Sequence, residues 1–214
     1  MKRNRIIKIV IAIVAAVIAL WFSFYTEPLS EKLKREQAGL FDADACVKEQ
    51  WNNLVQLKTD AIDIEDFYKQ LSENRKQLAE THGRVLGVGS NIFFVVKGEG
   101  KVSFKDDEAL MVEAAGQKWE IPMKYLFGNL ARDASACFNI DDFKTMTDFN
   151  AVSAALNKQV MENVLKPVGR KAAVGKTAVF CAAIEVGNDF FSDNNENQPF
   201  SSVPQLIPYT LDIK

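Results

Sequence analysis

Apolar residues run almost unbroken from Ile6 to Tyr25, the longest such run in the chain. At 1.5 Å per residue, about 20 helical residues cover the roughly 30 Å hydrocarbon core of a bilayer. Lys2, Arg3, Arg5 and Lys8 crowd the start of the run, and Lys8 lies close enough to its end to snorkel back to the interface. With the positive charge all on that side, the expected topology is a single pass through the inner membrane, N-terminus cytoplasmic and C-terminal domain periplasmic. Trp21 and Tyr25 suit the aromatic belt of the outer interface. The competing reading is a cleaved signal peptide, with Val17-Ile18-Ala19 as the small-residue site. Leu20 to Tyr25 continues the hydrophobic run past that cut, which favours an uncleaved transmembrane anchor over residues 1–25.

Beyond the anchor the pattern changes twice. Thr26 to Gln37 is polar and reads as a stalk, broken from the anchor by Pro28. Asp42 or Asp44 then caps a helix carrying Val47, Trp51, Leu54 and Val55 on one face. Asp63 caps a second, with Ile64, Phe67, Tyr68, Leu71 and Leu78 in a helical stripe and Glu65 and Asp66 opposing the dipole. Two amphipathic helices this close together predict an antiparallel helical hairpin, so that residues 26–82 form a stalk and hairpin.

From Gly83 the period shortens to two. Phe93 to Val96 is a compact apolar run, and Lys97-Gly98-Glu99-Gly100 reads as its turn. Val102 and Phe104, then Leu110, Val112 and Ala114, alternate with polar neighbours, and a turn at Gly116 precedes Trp119, Ile121 and Met123. A helix over 148–168 follows, lined by Phe149, Val152, Leu156, Val160 and Val164 and ended by Pro167 and Gly169. Thr177 to Val186 is apolar on both faces and so central, while Pro204 and Pro208 confine a last strand, Leu206 to Ile213, to an edge or bulge. Strands, then one helix, then two strands is the order of a small Greek-key barrel of OB type. The expected class is therefore α+β: a transmembrane helix, a helical hairpin, and residues 83–214 as a small antiparallel, OB-like β-barrel with one inserted helix.

Composition narrows the function classes. Hydrophobic residues are 48% and charged residues 25% of the 214, which is globular. The formal net charge of −2 includes the basic N-terminus, so the exported part is more acidic still and lacks the basic footprint that nucleic acid demands. Cys46, Cys137 and Cys181 are too few for a disulfide framework. Cys137 and Cys181 sit in apolar segments that permit pairing if they are neighbours, though buried free thiols are the simpler reading.

No catalytic signature stands out. Gly175-Lys176-Thr177 mimics the end of a phosphate-binding loop, but the first glycine is out of register and the strand and helix come in the wrong order. Gly87-Val88-Gly89 has Ile92 where a dinucleotide fingerprint needs its third glycine. His82, the only histidine, falls at an expected helix end, where it faces the dipole. No ligand pair has metal spacing, and neither metal nor other cofactor is expected.

Candidate ligand-binding residues come from two stretches. Between Tyr125 and Asn157, the polar residues Arg132, Asp133, Asp141 and Asp142 interrupt apolar surroundings. An Arg fork with carboxylates in a pocket suits a hydroxylated or charged ligand. The same residues equally suit a structural Arg–Asp pair tying the barrel to its helix, with Asp141 and Asp142 in a turn. Phe190, Phe191 and Phe200 lie in the Asn/Asp-rich loop Gly187–Ser202. There, aromatics beside hydrogen-bonding groups suit a sugar face, unless the rings tuck back onto the core.

Gly128-Asn129-Leu130-Ala131-Arg132-Asp133, Asp142-Phe143 and Ala155-Leu156-Asn157 resemble a bacterial family of predicted periplasmic lipoproteins of unknown function. Phe41-Asp42-Ala43, Trp51 and Gly98-Glu99-Gly100 fit its earlier blocks. Members are often encoded beside sugar ABC transporters, so the resemblance implies an accessory role in sugar uptake. Asn157, inside a family block, joins the candidate site on that ground. This chain departs from the family at the lipid-modified cysteine its name expects, and at Lys144-Thr145, where members carry Asn-Gln. The expected function is a membrane-anchored periplasmic binding or accessory protein without catalysis. Its expected partners are the inner membrane and either transporter components or a small carbohydrate. The alternative is a hydrolase pairing Asp133 with Asp141 or Asp142 across an open cleft, as glycosidases pair carboxylates.

Overall fold

The computed structural model describes residues 41–86, 91–191, 199–200 and 202–214; the expected anchor and the stalk up to residue 40 lie outside them. Asp42–Lys214 forms one compact unit. Asp42 is the first N-cap, its Oδ1 accepting from the Ala45 N–H at 2.9 Å, and it opens helix α1 (Ala43–Gln56). Val47 and Leu54 are buried and Trp51 half-buried, but Val55 is exposed.

The expected hairpin does not form. A short 3-10 turn (Leu57–Thr59) and strand β1 (Ile62–Asp63) carry the chain across to the sheet before helix α2 (Ile64–Glu73) begins. β1 pairs in parallel with the middle of β2 (Ile92–Lys105), Ile62 opposite Val96. The chain has thus changed layers, so α2 packs its Ile64, Phe67 and Leu71 face on β2. Asp63 caps α2 as its sequence requires, accepting from the Glu65 N–H. The helical stripe then breaks at Asn74 and resumes as α3 (Arg75–His82), which places Leu78 in the core and His82 at a helix end.

β2 is one strand of fourteen residues and has no turn at Lys97–Gly100. Its two glycines serve close packing instead. A Cβ on Gly98 would collide with the Ile64 side chain, and one on Gly100 with the Glu113 carbonyl and Val112. Removing both side chains lets α2 and the next strand press against β2 and lets the strand coil. Its first part pairs antiparallel with β5 (Thr177–Val186), from Ile92 opposite Val186 to Lys101 opposite Thr177. Its last part pairs with β3 (Ala109–Ala114), with a register shift between Val102 and Phe104. Asp106 holds the tight turn into β3, accepting from the Glu108 and Ala109 N–H groups at 2.8 and 2.7 Å. Those two bonds hold its carboxyl below the usual range.

β3 turns through Ala115 and Gly116, both at positive φ, into β4 (Gln117–Pro122). β5 is central as its two apolar faces require, lying between β2 and β6 (Ile207–Ile213). Pro208 sits at a bulge opposite Ala182, where a missing N–H costs least. The barrel closes where residues just before β6 run parallel to β4. The Glu120 N–H donates to the Pro204 carbonyl at 2.9 Å, and the Leu206 N–H donates to the Glu120 carbonyl at 2.8 Å.

Between β4 and β5 lie a short helix α4 (Leu130–Ser135) and the long helix α5 (Met146–Val160). Thr145 caps α5, accepting from the Asp148 N–H, so the helix begins slightly before the expected start. It runs on through a π-helical turn (Met161–Leu165) into α6 (Lys166–Gly169). Pro167 is tolerated because it falls within the first turn after that irregularity. α5 is also the main partner of α1: their apolar faces pack, and Lys158 Nζ reaches Asp44 Oδ2 at 3.0 Å. Among the described residues, no helix is long and apolar enough to cross a membrane.

Candidate functional site

Arg132 extends from α4 into the junction with α5 and is only 4% exposed. Its Nε donates to Asp133 Oδ1 at 2.7 Å, and one terminal nitrogen donates to the Phe149 carbonyl at 3.0 Å and Asn150 Oδ1 at 3.3 Å. The guanidinium lies 3.6 Å from the centre of the Phe149 ring, so its flat face is covered by an aromatic surface that favours cations. Every contact is internal to the fold. Arg132 and Asp133 therefore tie α4 to α5, the structural one of their two sequence readings.

Burial raises the Asp133 carboxyl above its usual range. Arg132 opposes that shift through its hydrogen bond and charge, and the negative charge of Glu185 adds to it. A raised pKa means that the folded state binds the proton more tightly than the unfolded state. The contribution to stability is therefore full below the unfolded pKa and is lost as pH rises through the folded one. Asp133→Asn removes the titration. The expected result is that wild type gains stability relative to Asp133→Asn as pH falls from 7 towards 4, read as the difference between their urea midpoints. A pH-independent difference would show that Asp133 is not buried as described.

The other candidates scatter. Asp141 and Asp142 are exposed on a 3-10 turn (Ile140–Asp142), whose cap Asn139 accepts from the Asp141 N–H. Asp133 is thus the buried partner of an arginine, and the two aspartates of the hydrolase alternative are solvated turn residues. Asn157 is half-buried on α5 and donates to the Gly128 carbonyl at 3.0 Å, holding the loop that leads into α4. Phe190 and Phe191 are buried in a 3-10 turn (Asn188–Phe191). Phe191 packs on Phe94, and Arg75 covers the Phe190 ring. These two rings belong to the core, as the tucked-back reading has it.

Phe200 behaves differently. It is half-buried, its ring edge-to-face with Trp119 at 5.7 Å, and it lines a cavity of about 440 Å³. The cavity lies between Pro199, Phe200 and the residues just before β6 on one side and the starts of β2 and α4 on the other. Leu130, Pro199, Val203 and Pro204 supply apolar wall; Asn91, Glu185, Ser202 and Gln205 supply polar groups. The Asn91 amide donates to Glu185 Oε1, and Gln205 Nε2 donates to Glu120 Oε1 at 3.1 Å. Each carboxylate and each amide is thus held in place yet keeps further hydrogen-bonding capacity. One aromatic face with oriented carboxylate and amide groups is a chemistry that suits a small hydroxylated molecule.

The sequence carried a signal for this site. Glu185 is the sole charge in the apolar run Thr177–Val186. A carboxylate there is either paired or facing a polar space. Asn91 and Gln205 carry no comparable mark, because isolated amides beside strands are common.

Burial pushes the Cys181 thiol up to about 11, and burial also raises Cys137 and Cys46. All three cysteines are free thiols, the simpler of the readings above. The fully buried Tyr209 donates its hydroxyl to the Ala131 carbonyl at 2.6 Å, and its phenol is raised well above the usual value by desolvation. Among the described residues, no group of three or more His, Cys, Asp or Glu side chains is placed to hold a metal ion.

Closure of β4 on the chain before β6, with the helices inserted between β4 and β5, defines an OB-type barrel domain carrying helical additions. A solved OB-fold protein from Thermotoga maritima is similar, with a TM-score of 0.70 at 22% sequence identity. The likeness covers 82% of this chain and 99% of that chain and establishes the fold. No curated protein matches the chain. Residues 13–196 match the family described as "Predicted periplasmic lipoprotein (DUF2291)", and the chain belongs to that family. The description carries a membrane-associated, periplasmic location.

Proposed function

We propose that this protein is a membrane-anchored periplasmic binding or accessory protein, non-catalytic, that holds a small carbohydrate in the Phe200–Glu185 cavity. The reading rests on the cavity itself, one aromatic wall opposed by a pre-positioned carboxylate and amides. Stacking on Phe200 would take the apolar face of a sugar ring, while Glu185, Asn91 and Gln205 would take its hydroxyls. Ile6–Tyr25 is read as a single-pass anchor with its N-terminus in the cytoplasm, because its length and flanking charge match a bilayer. A carbohydrate ligand accords with the resemblance to proteins encoded beside sugar ABC transporters, whose components are the proposed partners.

A melting-temperature screen of the full-length protein against monosaccharides tests the reading. A ligand at a hundred times its Kd adds about 2.7 kcal/mol, which is a shift of roughly 5–10 °C for a domain of this size. Phe200→Ala and Glu185→Gln should each remove the shift. Silence across the panel, or a shift that survives both substitutions, would overturn the proposal.

A further inference from the structure

Two aromatic side chains stand in solvent on the loop between β4 and α4. Tyr125 is 61% exposed and Phe127 81% exposed, and their rings stack on each other with centroids 5.9 Å apart. Lys124 Nζ sits 5.3 Å from the Tyr125 ring centre. The pair overhangs a groove of about 280 Å³ whose floor is the outer face of α5, with Ala154, Asn157 and Lys158, and Met161 of the π-helical turn that follows. Asn157 fixes this loop through the Gly128 carbonyl, so the rings are presented on a held scaffold. A solvated face gains nothing from two large rings this exposed, and such patches mark a surface that something else covers.

Where the chain enters the domain says what covers this one. Lys158, in the groove, is ion-paired with Asp44 in the first turn of α1, at 3.0 Å. The groove therefore borders the point at which the polypeptide arrives from its apolar N-terminal run. Residues 26–42 separate that run from α1, so the chain between them reaches at most about 60 Å. A tether of that reach keeps the membrane at high effective concentration around the groove, so a weak two-ring contact suffices. Rings flanked by lysines also match the chemistry of the bilayer interface. There, aromatic bodies sit at headgroup depth and lysine stems run along apolar surface with the ammonium in water.

We propose that Tyr125 and Phe127 insert into the periplasmic leaflet interface and hold the domain against the membrane. The inference rests on the anchor reading of Ile6–Tyr25, and one experiment separates the two. The full chain is reconstituted into phosphatidylethanolamine/phosphatidylglycerol vesicles with and without brominated acyl chains, which quench tryptophan within the bilayer. The difference between wild type and Trp21→Phe reports the anchor. In the Trp21→Phe background, Phe127→Trp reports the loop, and Val174→Trp, at an exposed position outside the groove, is the control. The expected result is loss of Trp21 emission and of Phe127→Trp emission, with Val174→Trp unchanged. Quenching of Trp21 alone overturns the contact and leaves the anchor. Quenching of Phe127→Trp alone overturns the anchor and leaves the contact. Phe127→Trp emission that ignores the lipid but shifts with protein density would give the groove to a second copy of the chain and also overturn the contact.

Discussion

Arg132→Ala is expected to lower the unfolding free energy of the domain by about 3–5 kcal/mol, the cost of breaking a buried ion pair from one side. The substitution strands the Asp133 carboxylate, whose side chain is 9% exposed, and leaves the Phe149 carbonyl without this donor. It also strips the cation from the Phe149 ring and opens space at the junction of α4 and α5. Arg132→Lys should recover only part of the loss. An ammonium cannot satisfy Asp133, Phe149 and Asn150 with the planar fork that now reaches all three. Urea midpoints of the three proteins decide the matter. A midpoint unchanged by Arg132→Ala would mean that the arginine is free of its partners in solution, and the cluster would return as a ligand pocket.

Trp119→Ala should cost a similar amount, about 3–5 kcal/mol, as buried aromatic truncations do. Trp119 is fully buried, its indole N–H donates to the Ala114 carbonyl at 2.9 Å, and its ring meets both Tyr68 and Phe200 edge-on. The substitution should reach the cavity as well. Phe200 loses the ring behind it, so any ligand stabilisation should fall together with the urea midpoint. Trp119→Phe, which keeps an aromatic ring and gives up the hydrogen bond, should sit between the two. A Trp119→Ala protein with a wild-type midpoint would contradict the closed barrel. Trp51, only half-buried against the core, should cost less when truncated than Trp119.

The sequence shows the barrel more clearly than it shows the packing around it. Period-two alternation in β3 and β4, and the doubly apolar β5, follow directly from which faces are covered, so they are readable in one dimension. Helix starts are readable for the same local reason, because Asp42 and Asp63 cap through their own side chains. The glycines of Lys97–Gly100 misled because a turn and a tight approach ask for the same residue. Only the partners, Ile64 and Glu113, reveal which demand applies. The hairpin failed for a related reason. Both helices are amphipathic, but which faces meet is set by the two residues of β1, too few to show a period. At the candidate site, Arg132 and Asp133 were visible as polar residues in apolar surroundings, and only burial showed them to be structural. The cavity was half visible, through Phe200 and the lone charge of Glu185. Its other groups come from segments far apart in the chain.

The length of β2 has a consequence for biogenesis. Ile92 pairs with Val186 and Lys101 with Thr177, so β2 waits for a partner made much later along the chain. Barrel closure waits longer still, until Pro204 and Leu206 reach Glu120. Topologies dominated by such distant pairings fold slowly, because loop entropy is lost before any contact returns it. An emerging chain therefore holds a long, apolar strand edge open throughout translocation, the kind of edge that invites pairing with other chains. Premature termination anywhere before β5 leaves that edge permanently unclosed. Such a product keeps the backbone donors and acceptors of β2 that β5 would have paired exposed along its length.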